Sequence, residues 1–225
     1  MIRLEPVGAE AVLLVLADTP DDHLPLRIAR LAEAVRQRLG PQLRELVPGW
    51  TTLLLHYDLL RTDPARLAAD LAPLLEQWQS APSPDEQGRL HRLPVWYGGE
   101  DLGAVAEACG LRPGQVIDLH CAVEYRVGAI GFAPGFAYLG GLDARLALPR
   151  RATPRTQVPA GSLAIAERQT AIYPQASPGG WHLLGLCPQR LFDPAQAPPC
   201  PLALGDRVRF EPIDEATYRR ECVAP

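Results

Sequence analysis

The stretch Ser162-Leu163-Ala164-Ile165-Ala166-Glu167-Arg168-Gln169-Thr170-Ala171-Ile172-Tyr173 decides the fold. It holds two strand-like runs, Ser162–Ala166 and Gln169–Tyr173, each too short and too apolar to read as an amphipathic helix. Working outward, Val127–Phe132, Trp181–Leu186 and Arg207–Phe210 have the same character, and glycine and proline turns separate them. After Tyr125 the helical period is gone. Many short strands with this punctuation predict a sandwich or a barrel. Two short helices precede them, near Asp101–Cys109 (closed by Gly110) and Pro113–Cys121.

The N-terminal part reads differently. Ile2–Glu5 and Ala11–Leu16 are a strand pair around Gly8, and Leu43–Val47 and Thr51–Tyr57 a second pair around Pro48-Gly49. Leu24, Ile28, Leu31, Val35 and Leu39 lie on one helix face, and Gly40-Pro41 stops that helix. A second helix begins at Asp63-Pro64, an N-cap followed by proline at the first helical position. Pro73 inside it is expected to kink it or end its first half. The triple Leu53-Leu54-Leu55 predicts burial on both faces, and Leu90–Val95 is one more strand. Strand pairs with two helices make an open α/β sandwich, ferredoxin-like in outline. Ser80–Gly88, with Pro82 and Pro84, reads as a linker. The expected organisation is therefore α+β, with a small α/β domain at 1–88 and a β-barrel domain at 89–225. No internal repeat is visible.

Composition removes several functions. All 22 Lys-plus-Arg residues are Arg, and the chain contains no Asn. Without Lys there is no Walker A loop, no Schiff base and no lysine general base. Fixed positive charge must come from Arg, which suits carboxylate and phosphate recognition. A net charge of −4 argues against a non-specific nucleic-acid binder. The start does not read as a signal peptide, and the longest apolar run, Ala11–Ala17, is too short to cross a membrane. A cytoplasmic protein is expected. The five Cys contain no CxxC pair and read as reduced thiols.

One segment concentrates the chemistry, from Gly131 to Asp193. Its density of Gly, Pro and aromatic residues weakens regular structure and suits close approach of backbone to a ligand. Arg150, Arg151 and Arg155 are candidate carboxylate or phosphate ligands, stiffened by Pro149 and Pro154. Phe136, Tyr138 and Trp181 are candidate apolar walls. Ser162, Gln169, Ser177, Gly179 and Gly180 complete the substrate-binding set. Neither serine sits in a nucleophile motif, so hydrogen bonding in a turn is their expected role. His182, Glu100 and His120 are the candidate catalytic residues. His182 follows Trp181 in a strand, so only one of the two faces the core. Glu100-Asp101 reads equally well as the N-cap of the following helix. His120 and Cys121 are helix neighbours about 100° apart, so they do not face one another, and a packed helix residue is the default for both. No two His have metal-ligand spacing, so no metal is expected on this chain.

Six blocks follow one another here: Gly131–Asp143, Pro149–Arg155, Val158–Ser162, Gln169–Pro174, Ser177–Trp181 and Leu191–Pro194. With Tyr97–Leu102, Val116–His120 and Gly205–Phe210, they make the chain resemble the KipI / allophanate hydrolase subunit 1 family over most of its length. The resemblance implies a cyclophilin-like C-terminal barrel after a smaller α/β domain. It also implies work with a KipA-type partner protein and a third subunit. Together such proteins open the lactam of 5-oxo-L-proline to L-glutamate, with ATP and Mg²⁺ used by the whole complex. Other implied roles are inhibition of a sensor histidine kinase and participation in allophanate or urea-related hydrolysis. Two positions depart from the family pattern. His120 is followed by Cys121 where Ser is usual. Glu167-Arg168 replaces a Gly-Gly hairpin turn, which predicts a different turn type.

Overall fold

A computed structural model describes residues 2–81 and 88–223. Residues 82–87, most of the expected linker, lie outside the described residues. The chain divides into two compact units, Met1–Gly88 and Arg89–Pro225.

In the first unit, β1 (Arg3–Pro6), β2 (Ala11–Val15), β3 (Leu43–Pro48) and β4 (Thr52–Tyr57) form an antiparallel sheet in the order β1-β2-β4-β3. Alternation sorts the side chains. Val12, Leu14, Leu53, Leu55 and Tyr57 are buried, whereas Leu54 between them is only half-buried. Burial on both faces, expected from the leucine triple, is therefore not what the sheet shows. Successive residues of a strand point to opposite faces, and only one face of this sheet is covered. Helices α1 (Leu24–Leu39) and α2 (Pro64–Ser80) pack against each other and bury the stripes Leu24, Ile28, Leu31, Val35, Leu39 and Leu67, Leu71, Leu75. The Asp63 carboxylate caps α2, accepting from the N–H groups of Ala65 and Arg66. The helix runs on through Pro73, contrary to the expected break. Pro73 faces solvent, so water can satisfy the carbonyl left without a donor by its missing N–H.

The second unit contains β5 (Leu90–Val95), α3 (Leu102–Ala108), α4 (Pro113–Cys121), β6 (Tyr125–Ile130), β7 (Ala137–Gly140), β8 (Arg155–Val158), β9 (Ser162–Ala166) and β10 (Gln169–Ile172). It continues with β11 (Ser177–Gly179), β12 (His182–Leu186), β13 (Arg207–Pro212) and α5 (Glu215–Val223). Seven strands form one sheet in the order β12-β9-β10-β7-β6-β13-β5. Only β5–β13 is parallel. Just past β5, Trp96 exchanges both backbone hydrogen bonds with Leu186 at the end of β12, at 2.9 and 2.8 Å. That bridge nearly closes the sheet into a barrel and leaves little free edge.

The barrel has two populated faces. Val127, Leu139, Leu163, Ile165, Ile172 and Leu184 point inward and meet Val105 of α3 and Val116 of α4. Phe136, Ala164, Ala166, Ala171, Tyr173, Trp181 and Leu183 point outward and form a second cluster with Val158 of β8. Near-continuous burial along β9 follows from this double covering. The β8–β11 ribbon is a separate two-stranded sheet beside the outer cluster.

The β9–β10 hairpin turns on Glu167 and Arg168 between the paired residues Ala166 and Gln169. Glu167 adopts φ +54°, the left-handed region. Positive φ confined to the first loop residue is the signature of a type II′ turn. A glutamate therefore stands where glycine would be unstrained.

Candidate functional site: an aromatic cleft with one outward arginine

The outer cluster is built of rings set edge to face. Phe136 meets Tyr138, Tyr173 and Trp181 at centroid distances of 4.8, 5.2 and 5.9 Å. Positive ring edges against negative faces stabilise such pairs by about 0.5–1.5 kcal/mol beyond their burial. The cluster leaves a small concavity of about 90 Å³. Its lining is Phe132, Phe136, Tyr138, Arg150, Tyr173, Pro178, Gly179, Gly180 and Trp181. Phe132 stands at the edge of the cleft, 65% exposed and at φ +70°. Left-handed backbone in a bulky residue costs about 1–2 kcal/mol, and such strain concentrates at functional sites.

The three candidate arginines divide. Asp101 is the hub for two of them. Its carboxylate accepts from Arg151 Nη1 at 2.9 Å, from Arg155 Nη2 at 2.8 and 2.9 Å, and from the Leu183 N–H at 2.7 Å. Arg155 Nε also reaches Glu100 at 2.7 Å. Burial opposes the charge on Asp101. The hydrogen bonds from Arg155 and Leu183, with the charges of Arg155 and Arg151, outweigh it and hold the carboxyl below its usual range. Arg155 is pushed up in turn: burial opposes its charge, and Asp101 and Glu100 more than compensate. Asp101 occupies the N-cap position of α3 but makes no cap hydrogen bond. Its side chain is committed to the arginines instead.

Gly99 makes this hub possible. A Cβ there would sit 2.3 Å from the Leu184 backbone. Without one, Gly99 N–H bonds the Leu184 carbonyl and Asp101 N–H the Leu183 carbonyl, seating Asp101 against β12.

Arg150 is the arginine left facing outward. Its only ion-pair approach among the described residues is to Glu167 at 3.8 Å, and its side chain is 59% exposed. The neighbouring loop is tied down on two sides. Arg151 N–H donates to the Gly180 carbonyl at 2.8 Å. His182 Nε2 lies 2.8 Å from the Pro149 carbonyl. A carbonyl only accepts, so this nitrogen carries the proton. Trp181 is buried and His182 half-buried, the division that strand alternation requires.

The remaining candidates lie elsewhere. His120 is completely buried and apart from the cleft. Thr170 Oγ1 donates to the Ala164 carbonyl, so its oxygen accepts from His120 Nε2–H at 3.0 Å. Nδ1 then accepts from the Tyr97 hydroxyl at 2.8 Å, whose oxygen takes the Cys121 thiol proton at 3.2 Å. Burial pushes the His120 pKa down to about 3, so the ring is neutral. Ser162 is buried at the start of β9, and Gln169 begins β10 beside Ala166 and Gly140. Ser177 Oγ is buried without a partner among the described residues. Gly179 and Gly180 line the cleft. Among the described residues no group of three His, Cys, Asp or Glu side chains is placed to hold a metal ion.

Tyr173 is not among the candidates drawn from the sequence, because a Tyr between Ile172 and Pro174 has an ordinary structural explanation. Of the pair Glu100-Asp101, the sequence favours Glu100, whereas Asp101 is the carboxylate that the arginines surround.

The family model of the carboxyltransferase domain, subdomain C and D, matches residues 2–202. The chain belongs to this family. Two curated relatives are both named as the B subunit of 5-oxoprolinase. That of Escherichia coli is 42% identical over 93% of this chain and 95% of its own length. That of Bacillus subtilis is 34% identical over 96% and 95%. Among solved structures, TTHA0988 is 38% identical with a TM-score of 0.79 over 95% of this chain. This chain spans 40% of that protein. Kluyveromyces lactis urea amidolyase has a TM-score of 0.78 at 18% identity, over 97% of this chain and 15% of that one, a likeness of fold alone. No described helix is long and apolar enough to cross a membrane.

Proposed function

We propose that the chain is one subunit of an ATP-dependent 5-oxoprolinase, acting with a KipA-type protein and a third subunit. The complex hydrolyses the lactam of 5-oxo-L-proline to L-glutamate. In the net reaction two waters are consumed: one breaks the ring C–N bond, giving OH to the carbonyl carbon and H to nitrogen, and the second releases as free phosphate the phosphoryl group that ATP loses on becoming ADP. The names of the relatives, at 34–42% identity over nearly their whole length, support this reading.

The observation that carries it within the structure is the position of Arg150. Arg151 and Arg155 are committed to Asp101, whereas Arg150 faces a cleft walled by Phe136, Tyr138, Tyr173 and Trp181. One cation above an apolar aromatic box suits a small ring bearing one carboxylate. The exposed, strained Phe132 at the edge supports completion of the site by a partner surface. ATP and Mg²⁺ belong, in this proposal, to the assembled complex. A lactam is unreactive, and phosphorylation of its oxygen makes the carbon open to water. Coexpression with the partner proteins, copurification and an assay for ATP-dependent glutamate release tests the proposal. Copurification with 5-oxoproline turnover supports it. A pure complex that leaves 5-oxoproline unchanged in the presence of ATP and Mg²⁺ contradicts it.

A further inference from the structure

The cleft contains two phenols that the carboxylate role of Arg150 does not use. Tyr138 and Tyr173 both line it, together with Phe136 and Trp181. Tyr173 is buried just past the end of β10, and Tyr138 is half-buried on β7. The Tyr138 phenol acts electrostatically on Tyr173, and Arg150 acts on both. Arg150 and the two tyrosines therefore line one small cavity.

The Tyr173 hydroxyl is held in place by the chain around it. A Cβ on Gly179 would lie 2.2 Å from Tyr173 Oη. Only a glycine lets the β11 backbone approach the hydroxyl so closely. Burial raises the Tyr173 pKa, as does the Tyr138 phenol, so the hydroxyl keeps its proton at neutral pH and can donate it in a hydrogen bond.

We propose that Tyr173 and Tyr138 read the amide edge of the substrate: Tyr173 donates a hydrogen bond to the lactam oxygen, and Tyr138 accepts one from the lactam N–H. A lactam amide is held cis by its ring, so its N–H and C=O point out side by side. In 5-oxoproline the carboxylate sits on the carbon next to that nitrogen. Carboxylate, N–H and C=O thus run along one edge of the ring, and Arg150, Tyr138 and Tyr173 supply the matching cation, acceptor and donor. The two CH₂ groups on the opposite edge pack against Phe136 and Trp181. A carbonyl oxygen has two lone pairs. Tyr173 takes one and leaves the other open to phosphoryl transfer. The phenols are thus specificity-determining residues, and their ligand class is a small cyclic amide bearing a carboxylate. This inference rests on the 5-oxoprolinase reading.

The test uses the copurified complex and measures kcat and KM for 5-oxo-L-proline, with L-proline as a competing ligand that keeps the ring and carboxylate but lacks the carbonyl. Tyr173→Phe removes one oxygen and leaves the ring packing in place. It is expected to lower kcat/KM for 5-oxoproline about 10- to 100-fold, because a buried carbonyl loses its donor. Inhibition by L-proline should stay within about twofold, since the missing hydroxyl has no carbonyl to meet there. Tyr138→Phe should act in the same direction, and Gly179→Ala should reproduce the Tyr173→Phe loss by pushing the hydroxyl aside. Wild-type turnover with an unchanged kcat/KM in Tyr173→Phe overturns the inference alone. Equal weakening of 5-oxoproline and L-proline also overturns it, because that is the mark of a general packing defect. Absence of wild-type turnover overturns both this inference and the functional reading beneath it.

Discussion

At the scale of single residues, Asp101 decides which arginine can face a ligand. Its carboxylate is almost buried and takes hydrogen bonds from two guanidinium groups and one backbone N–H. Removing one partner of a buried ionic cluster leaves the others uncompensated, which costs about 3–5 kcal/mol. Asp101→Asn should therefore lower unfolding free energy by an amount in that range, measured by urea denaturation at pH 7. A loss below about 0.5 kcal/mol would mean that the cluster is only a surface ion pair. The arginines were legible in the sequence as a group of charges between prolines. Their division was not. The hydrogen-bond partner of Arg151 lies 50 residues upstream and that of Arg155 lies 54, and no local pattern links them. Asp101 itself reads as a helix cap because its position is a cap position, while its side chain serves a tertiary contact.

At the scale of elements, the β9–β10 hairpin and helix α4 each carry a measurable consequence. Glu167 holds φ +54° in a two-residue turn. Glycine visits that region without the Cβ penalty, though it loses more chain entropy on folding. Glu167→Gly should therefore stabilise the protein by about 0.5–1 kcal/mol, read as a higher thermal midpoint. An unchanged or lower midpoint contradicts the turn assignment. The sequence shows that Glu167-Arg168 departs from an easy turn. It does not show that the flanking strands, buried on both faces, are strong enough to impose the turn regardless. In α4, His120 is buried as a neutral ring and its pKa falls from 6.5 to about 3. In the unfolded chain the ring binds a proton below about pH 6.5, and in the folded chain it does not until about pH 3. The unfolded state thus holds more protons across that window. Stability from this group is complete above the unfolded pKa and is lost as pH falls towards the folded one. Denaturation curves between pH 7 and 4.5 should show a decline that His120→Gln reduces by the share of one proton. Equal slopes in the two proteins would place His120 in contact with water.

At the scale of the whole molecule, each unit follows from a different period in the sequence. The 3.6-residue stripes and the alternating strand pairs of the first unit were legible because each element buries one face. The barrel of the second unit was legible as a class, from many short strands between glycines and prolines. Its closure was not, since Trp96 and Leu186 meet through backbone hydrogen bonds that leave no side-chain signature. The aromatic cleft was partly legible: Phe136, Tyr138, Trp181 and Arg150 were expected together, and the structure lines one concavity with all four. Tyr173 was missed because strand alternation alone does not say that the outer face of the barrel is also buried.

The proposed function places the carboxylate of 5-oxoproline on Arg150, within a larger ATP-driven complex. The most direct measurement is the steady-state kinetics of ATP-dependent glutamate formation by the copurified complex, comparing the natural chain with Arg150→Ala. The KM for 5-oxoproline should rise roughly 10- to 100-fold, the cost of one charge-assisted carboxylate contact. The KM for ATP should not change. An Arg150→Ala complex with wild-type kinetics for 5-oxoproline would contradict that placement.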